Sequence, residues 1–176
     1  MFTFRWAGPA DLPTISVLMD RAIATLQQGF LSPAEITASR SVMGLDTQLI
    51  ADGTYLLAER DGRLAGCGGW SARATLYGGD HSTALRDAAL LDPERHPARI
   101  RAMYTDPDFV RQGLGRLILT RCEDAARAAG FRSAEMMATL AGEPLYRACG
   151  YAVIEPIRSA PVDGVTVPLV RMGKPL

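Results

Sequence analysis

Asp106-Pro107-Asp108-Phe109-Val110-Arg111-Gln112-Gly113-Leu114-Gly115-Arg116 is the stretch on which the reading of this chain turns. An apolar run, Ile100 to Tyr104, precedes it, and a long amphipathic segment follows. Strand, Gly-x-Gly turn and helix start therefore come in that order. Such a turn leaves backbone N–H groups unpaired at a helix N-terminus, where the helix dipole favours an anion. The two glycines let a phosphate approach the backbone closely. The stretch reads as a pyrophosphate cradle.

The flanks support this order. Leu114, Leu117, Ile118, Cys122, Ala125, Ala126 and Ala129 recur close to helical spacing. Arg116, Thr120, Glu123, Asp124 and Arg127 fall on other faces, and Gly130 is a natural stop. Ser133 to Leu140 is a further apolar run of strand length. Two familiar cradles do not match. A P-loop needs a lysine after its last glycine, and the only lysine of the chain is Lys174. A dinucleotide fingerprint needs a third glycine where Ile118 stands.

The segment resembles the coenzyme A loop of the GCN5-related N-acetyltransferases (GNAT family), Gln/Arg-x-x-Gly-x-Gly/Ala, with Gly113 and Gly115 as its glycines. The leading Gln/Arg position is Val110, a departure, followed by Arg111 and Gln112. Downstream, Gly142-Glu143-Pro144-Leu145-Tyr146-Arg147-Ala148-Cys149-Gly150-Tyr151 resembles the family's second helix and its Leu/Phe-Tyr-x-x-x-Gly-Phe/Tyr ending. Where the family often has Asn, Ala141 and Gly142 stand here. The resemblance implies an α/β (α+β) fold: a mixed, mostly antiparallel sheet with helices on both faces, split beside Arg99–Thr105. It implies cofactor contacts from Arg111, Gln112, Gly113, Leu114, Gly115 and Arg116. It also implies that the Met103, Tyr104 and Thr105 backbone pairs with the pantetheine arm. Tyr146 is the implied proton donor to the departing thiolate.

The function so implied is acetyl-CoA-dependent N-acetyl transfer to a primary amine of a small molecule or peptide, without a metal. Two other classes stay open. One is a non-catalytic acyl-CoA-binding sensor of the same fold. The other is an unrelated nucleotide-phosphate enzyme using a similar cradle. An acceptor amine is mostly protonated at pH 7, so a base or water chain must take its proton. Glu59, Asp80 and His81 are the candidates, and a backbone N–H of the strand ending at Thr105 is the implied oxyanion donor.

Composition bounds these readings. The 176 residues suffice for one sizeable core, and 48% hydrophobic content disfavours disorder. A single N-acetyltransferase domain over 1–176 is expected. Lys+Arg and Asp+Glu balance at 19 each, which disfavours a nucleic-acid partner. Locally, Arg95 to Arg127 carries an excess of arginine suited to a phosphorylated cofactor, although Arg121 and Arg127 read as solvated helix face. Cys67, Cys122 and Cys149 suggest neither a disulfide framework nor a zinc site. No apolar signal segment or membrane-length run occurs, so no membrane partner and a cytoplasmic location are expected. A homodimer is left open.

The N-terminal half supplies the remaining elements. Phe2 to Trp6 reads as a strand, and Pro9-Ala10-Asp11 opens a helix through Leu26. Ser32, Pro33 and Glu35 form a capping signature for a second helix. Thr54–Glu59 and Arg63–Ser71 flank Asp61-Gly62 as a hairpin. Residues 75–97 read as an insertion or long loop on the active-site side, with a short helix over Thr83–Leu91. Trp70 and Tyr77 are candidate acceptor-pocket residues.

Overall fold

The computed structural model describes residues 1–176. Seven strands form one sheet: β1 (Thr3–Trp6), β2 (Tyr55–Arg60), β3 (Arg63–Ser71), β4 (Ala98–Thr105), β5 (Ser133–Thr139), β6 (Ala152–Arg158) and β7 (Pro168–Pro175). Their order is β1-β2-β3-β4-β5-β7-β6. Every pairing is antiparallel except β4 with β5. The helices are α1 (Leu12–Leu26), α2 (Pro33–Ser39), α3 (Thr47–Ala51), α4 (Leu114–Ala128) and α5 (Glu143–Ala148).

Alternation along β2 explains why both faces of the sheet are covered. Tyr55 and Leu57 join α1 residues Ile15, Leu18 and Met19 in one core. Leu56 and Ala58 point the other way and join Leu114, Ile118 and Leu119 of α4. Each such fully buried aliphatic side chain contributes about 1.5–3 kcal/mol relative to exposure. Asp61 and Gly62 both have positive φ, 53° and 76°, the backbone a two-residue hairpin turn demands. Ser32 and Glu35 make the reciprocal capping bonds at the start of α2.

Three details differ from the sequence reading. Glu123 of α4 is buried, because Lys174 of β7 reaches both its carboxylate oxygens at 3.0 Å. Leu119 is buried in the α4 core, whereas Leu117 is exposed. Helical structure within Thr83–Leu91 is limited to a 3-10 turn at Thr83–Leu85. The chain there doubles back instead, with Ala74, Thr75 and Leu91 amides bonding across the loop to Ala89, Asp87 and Ala72.

The sheet opens where β4 leaves β5. The two strands pair only at Ala98↔Ala134 and Arg99↔Glu135. Beyond that, Ala102 takes a φ of 51°. Two residues of β4, Ala102 and Met103, there face the single Gly68 of β3. This bulge bends β4 away from β5. It requires glycine opposite, because a Cβ on Gly68 would collide with the Met103 sulfur and lie 2.7 Å from Ile118. Three glycines in four strand residues, Gly66-Cys67-Gly68-Gly69, are the sequence sign of such a close approach.

Candidate active site

Two cavities meet at this opening. The larger, about 670 Å³, runs between the β4–α4 loop and α5. The smaller, about 90 Å³, lies between β4, β5 and the segments at Met43 and Tyr77. Met43, Met103, Tyr104, Thr139 and Tyr146 line both. The two cavities therefore adjoin at those residues.

The larger cleft is lined by Met103, Tyr104, Thr105, Arg111, Gly113, Leu114, Gly115, Arg116 and Tyr146, together with others. Gln112 is the exception among the anticipated cofactor contacts. Its Oε1 accepts from Arg60 Nη1 at 2.6 Å, and it does not line the cleft. Val110 does line it, although its side chain offers no hydrogen bond.

The loop's own backbone carries its polarity. No amide from Val110 to Arg116 donates to a backbone acceptor, and helix bonding begins with Leu117 N–H to Gly113 C=O. These donors end at the N-terminus of a helix that runs to Ala128, where the dipole adds partial positive charge. The acidic residues of the loop are already engaged. Asp106 pairs with Arg21 of α1 at 2.9 Å, and Asp108 with Arg63 at 2.8 Å. Arg111 has no carboxylate partner and itself has a positive φ of 62°. The cradle thus combines free amides with an uncompensated cation, a donor set suited to phosphates.

The two glycines have different reasons for being glycine. Gly113 has a φ of 76°, and a Cβ there would meet open space. Its requirement is conformational. Gly115 has ordinary helical geometry, but a Cβ would stand 2.7 Å from Leu145 Cδ2. Its immediate constraint is the close approach of α5 to α4, rather than a side chain projecting into the phosphate position.

Tyr146 sits at the junction of the cavities. It is 8% exposed and packs edge-to-face on Tyr151, 6.2 Å between ring centres. Its hydroxyl makes no hydrogen bond within the protein. Burial pushes its pKa well above the usual tyrosine range, so the proton stays on the oxygen at neutral pH. Tyr104 beside it is committed, since its hydroxyl accepts the Gly44 amide at 3.2 Å and so ties the 42–44 segment over β4.

None of the three anticipated base candidates reaches either cavity. Glu59 is held by Arg5 at 2.8 Å on the β1–β2 edge of the sheet. Asp80 accepts the Thr47 amide at 3.0 Å at the start of α3. The His81 ring packs where a Cβ of Gly44 would be, and its Nε2 lies 2.6 Å from the Arg40 carbonyl. All three are engaged in contacts away from the cavities. Of the two candidate acceptor-pocket residues, Tyr77 lines the smaller cavity, whereas Trp70 packs against Phe131 at 6.0 Å outside it. Arg101 and Met43 were not singled out by sequence, because tertiary folding alone brings them to the site. No group of three or more His, Cys, Asp or Glu could hold a metal ion. No helix is long and apolar enough to cross a membrane.

Residues 21–151 match the model of the acetyltransferase (GNAT) family. The chain is 30% identical over 146 residues to an IAA acetyltransferase of Azospirillum brasilense, covering 78% of this chain and 80% of that one. Among solved structures, it is similar to a GCN5-related N-acetyltransferase of Rhodopseudomonas palustris, with a TM-score of 0.72 and 18% identity over 99% of this chain and 95% of the other. A phosphinothricin acetyltransferase of Sinorhizobium meliloti, solved in complex with acetyl-CoA, gives a TM-score of 0.64 and 22% identity over 99% and 88%.

Proposed function

The chain belongs to the acetyltransferase (GNAT) family, and from that premise we propose that it transfers the acetyl group of acetyl-CoA to a primary amine. The observation that carries this reading is the run of free amides from Val110 to Arg116, opening onto a cleft that ends at Tyr146. Acetyl-CoA supplies an activated thioester to attack. The amides of the loop and the guanidinium of Arg111 bind its phosphates. The edge of β4 beyond Arg99, unpaired with β5, offers backbone groups to the pantetheine arm.

The amine enters from the smaller cavity and meets the thioester in the gap. Negative charge develops on the carbonyl oxygen there, beside the open edge of β4, where a backbone N–H stabilises it. Tyr146, protonated and free of internal hydrogen bonds, gives its proton to the departing sulfur. No carboxylate or imidazole lines either cavity. The amine attacks in its neutral form, and the proton its nitrogen must still lose on becoming an amide passes through solvent and restores the phenol of Tyr146.

Calorimetry with acetyl-CoA, coenzyme A and ATP, followed by thiol release with a panel of amines, tests the proposal. Acetyl-CoA should bind, ATP should not compete, and thiol release should depend on an amine. Binding without amine-dependent release would make the chain a sensor, and competition by ATP would point to nucleotide chemistry.

A further inference from the structure

The smaller cavity has a composition that selects among amines. Its lining is mostly apolar, with Met43, Met136, Met137 and Leu169 among it, and contains no Asp, Glu or His. One charged residue lines it, Arg101 of β4, only 5% exposed. A buried guanidinium needs acceptors for its donors, and Arg101 is incompletely supplied. Its Nη2 reaches the Gly78 carbonyl and lies 2.6 Å from Asp46 Oδ2. The latter contact is close but off the hydrogen-bond direction, and Asp46 Oδ2 and Arg101 Nε are both buried without a hydrogen-bond partner. Asp46 is also shared, since its Oδ1 lies 3.1 Å from Arg86. Two arginines thus contact one buried carboxylate, and the exposed carboxylate of Asp80 also acts on Arg101.

Resting on the acetyl-transfer reading above, we propose that the acceptor is a small amino acid with an uncharged apolar side chain, its carboxylate seated against Arg101 and its amine directed to the gap at Tyr146. A carboxylate gives an acceptor to a guanidinium whose contacts within the protein are made by Nη2 alone. The Met and Leu walls take the side chain. A polyamine fits poorly, because its second cation would be buried among apolar groups beside Arg101. A protein lysine has no anion to place there.

Valine, leucine and methionine, each compared with its carboxamide and with the amine left after loss of the carboxylate, form the test. In steady-state assays with acetyl-CoA, valine should exceed valinamide and isobutylamine in kcat/KM by about tenfold or more, the worth of one charge-assisted contact. Valinamide is the less basic amine, so any advantage from easier deprotonation runs against the expected result. Arg101→Gln should lower kcat/KM for valine about tenfold more than for valinamide, and Arg101→Lys should restore part of that preference. Equal or better turnover of the amide, the decarboxylated amine or spermidine by the wild-type protein overturns the proposal, whatever the variants do. Calorimetric binding of valine and valinamide to the coenzyme A-saturated protein separates this failure from failure of acetyl transfer. Preferential valine binding without turnover upholds the pocket and sinks the reaction. No valine binding in the absence of turnover sinks the pocket as well.

Discussion

The two sides of the proposed catalytic gap are built from different materials. The proposed cofactor side is mostly backbone: a left-handed Gly113, free amides from Val110 to Arg116, and a helix that begins at once, with Arg111 beside them. The proposed acceptor side is side chains from four separate parts of the chain: Met43, Tyr77, Arg101 and Met137. Backbone recognition suits a ligand whose phosphates do not vary. Side-chain recognition suits a ligand that differs from one enzyme to the next. Tyr146 lies on the boundary and lines both cavities.

The sharpest way to break this division is at the boundary. Tyr146→Phe removes an oxygen that holds no partner within the protein, so thermal stability should be nearly unchanged. If the hydroxyl protonates the leaving sulfur, turnover should fall by about 10²–10⁴-fold, the usual reach of acid–base catalysis. Acetyl-CoA affinity should hardly move, because the proton is needed only as the thiolate departs. Near-equal turnover in steady-state assays would reduce Tyr146 to a packing residue and leave the gap without a proton donor.

A second test falls on the cofactor side. Gly115→Val should weaken acetyl-CoA binding about tenfold or more, measured by calorimetry, because added atoms crowd Leu145 at the cleft wall. Adding Leu145→Ala tells the two roles of Gly115 apart. Recovery of affinity in the double variant would mean that the glycine serves helix packing. Continued loss would mean that the phosphate itself needs the space.

Legibility in the sequence follows the same division. Residues 99–140 could be read as strand, cradle, helix and strand because each signal there is local: an apolar run, a Gly-x-Gly turn and helical periodicity. The hairpin at Asp61-Gly62 and the cap at Ser32 were legible for the same reason. The acceptor side was not. Arg101 is one of seven arginines between Arg95 and Arg127, and nothing in the sequence marks it as the one buried beside Asp46. Gln112 follows the loop motif in sequence yet turns to Arg60, a contact 52 residues away. Glu123 looked like solvated helix face until Lys174, far along the chain, was placed against it.

The smallest expected effects come from the residues that sequence proposed as bases. Glu59→Gln loosens an ion pair with Arg5, which is 46% exposed, and such pairs are worth about 0–1 kcal/mol. Asp80→Asn weakens an acceptor for the Thr47 amide, and His81→Ala removes a ring packed on Gly44. Each should lower the melting temperature slightly and leave turnover of the folded protein within about twofold, as for substitutions away from a site. Their pH–rate profiles carry the decisive information. Tyr146 keeps its proton through neutral and mildly basic pH, because burial raises its pKa, and so contributes no falling limb there. With no base lining either cavity, the rising limb belongs to the acceptor amine. It should move to lower pH when a less basic amine such as valinamide replaces valine, and stay in place in all three variants. A limb that ignores the change of amine but shifts or vanishes with one substitution would identify that residue as the base. It would also mean that the side-chain half of the gap closes further around its substrate than the structure shows.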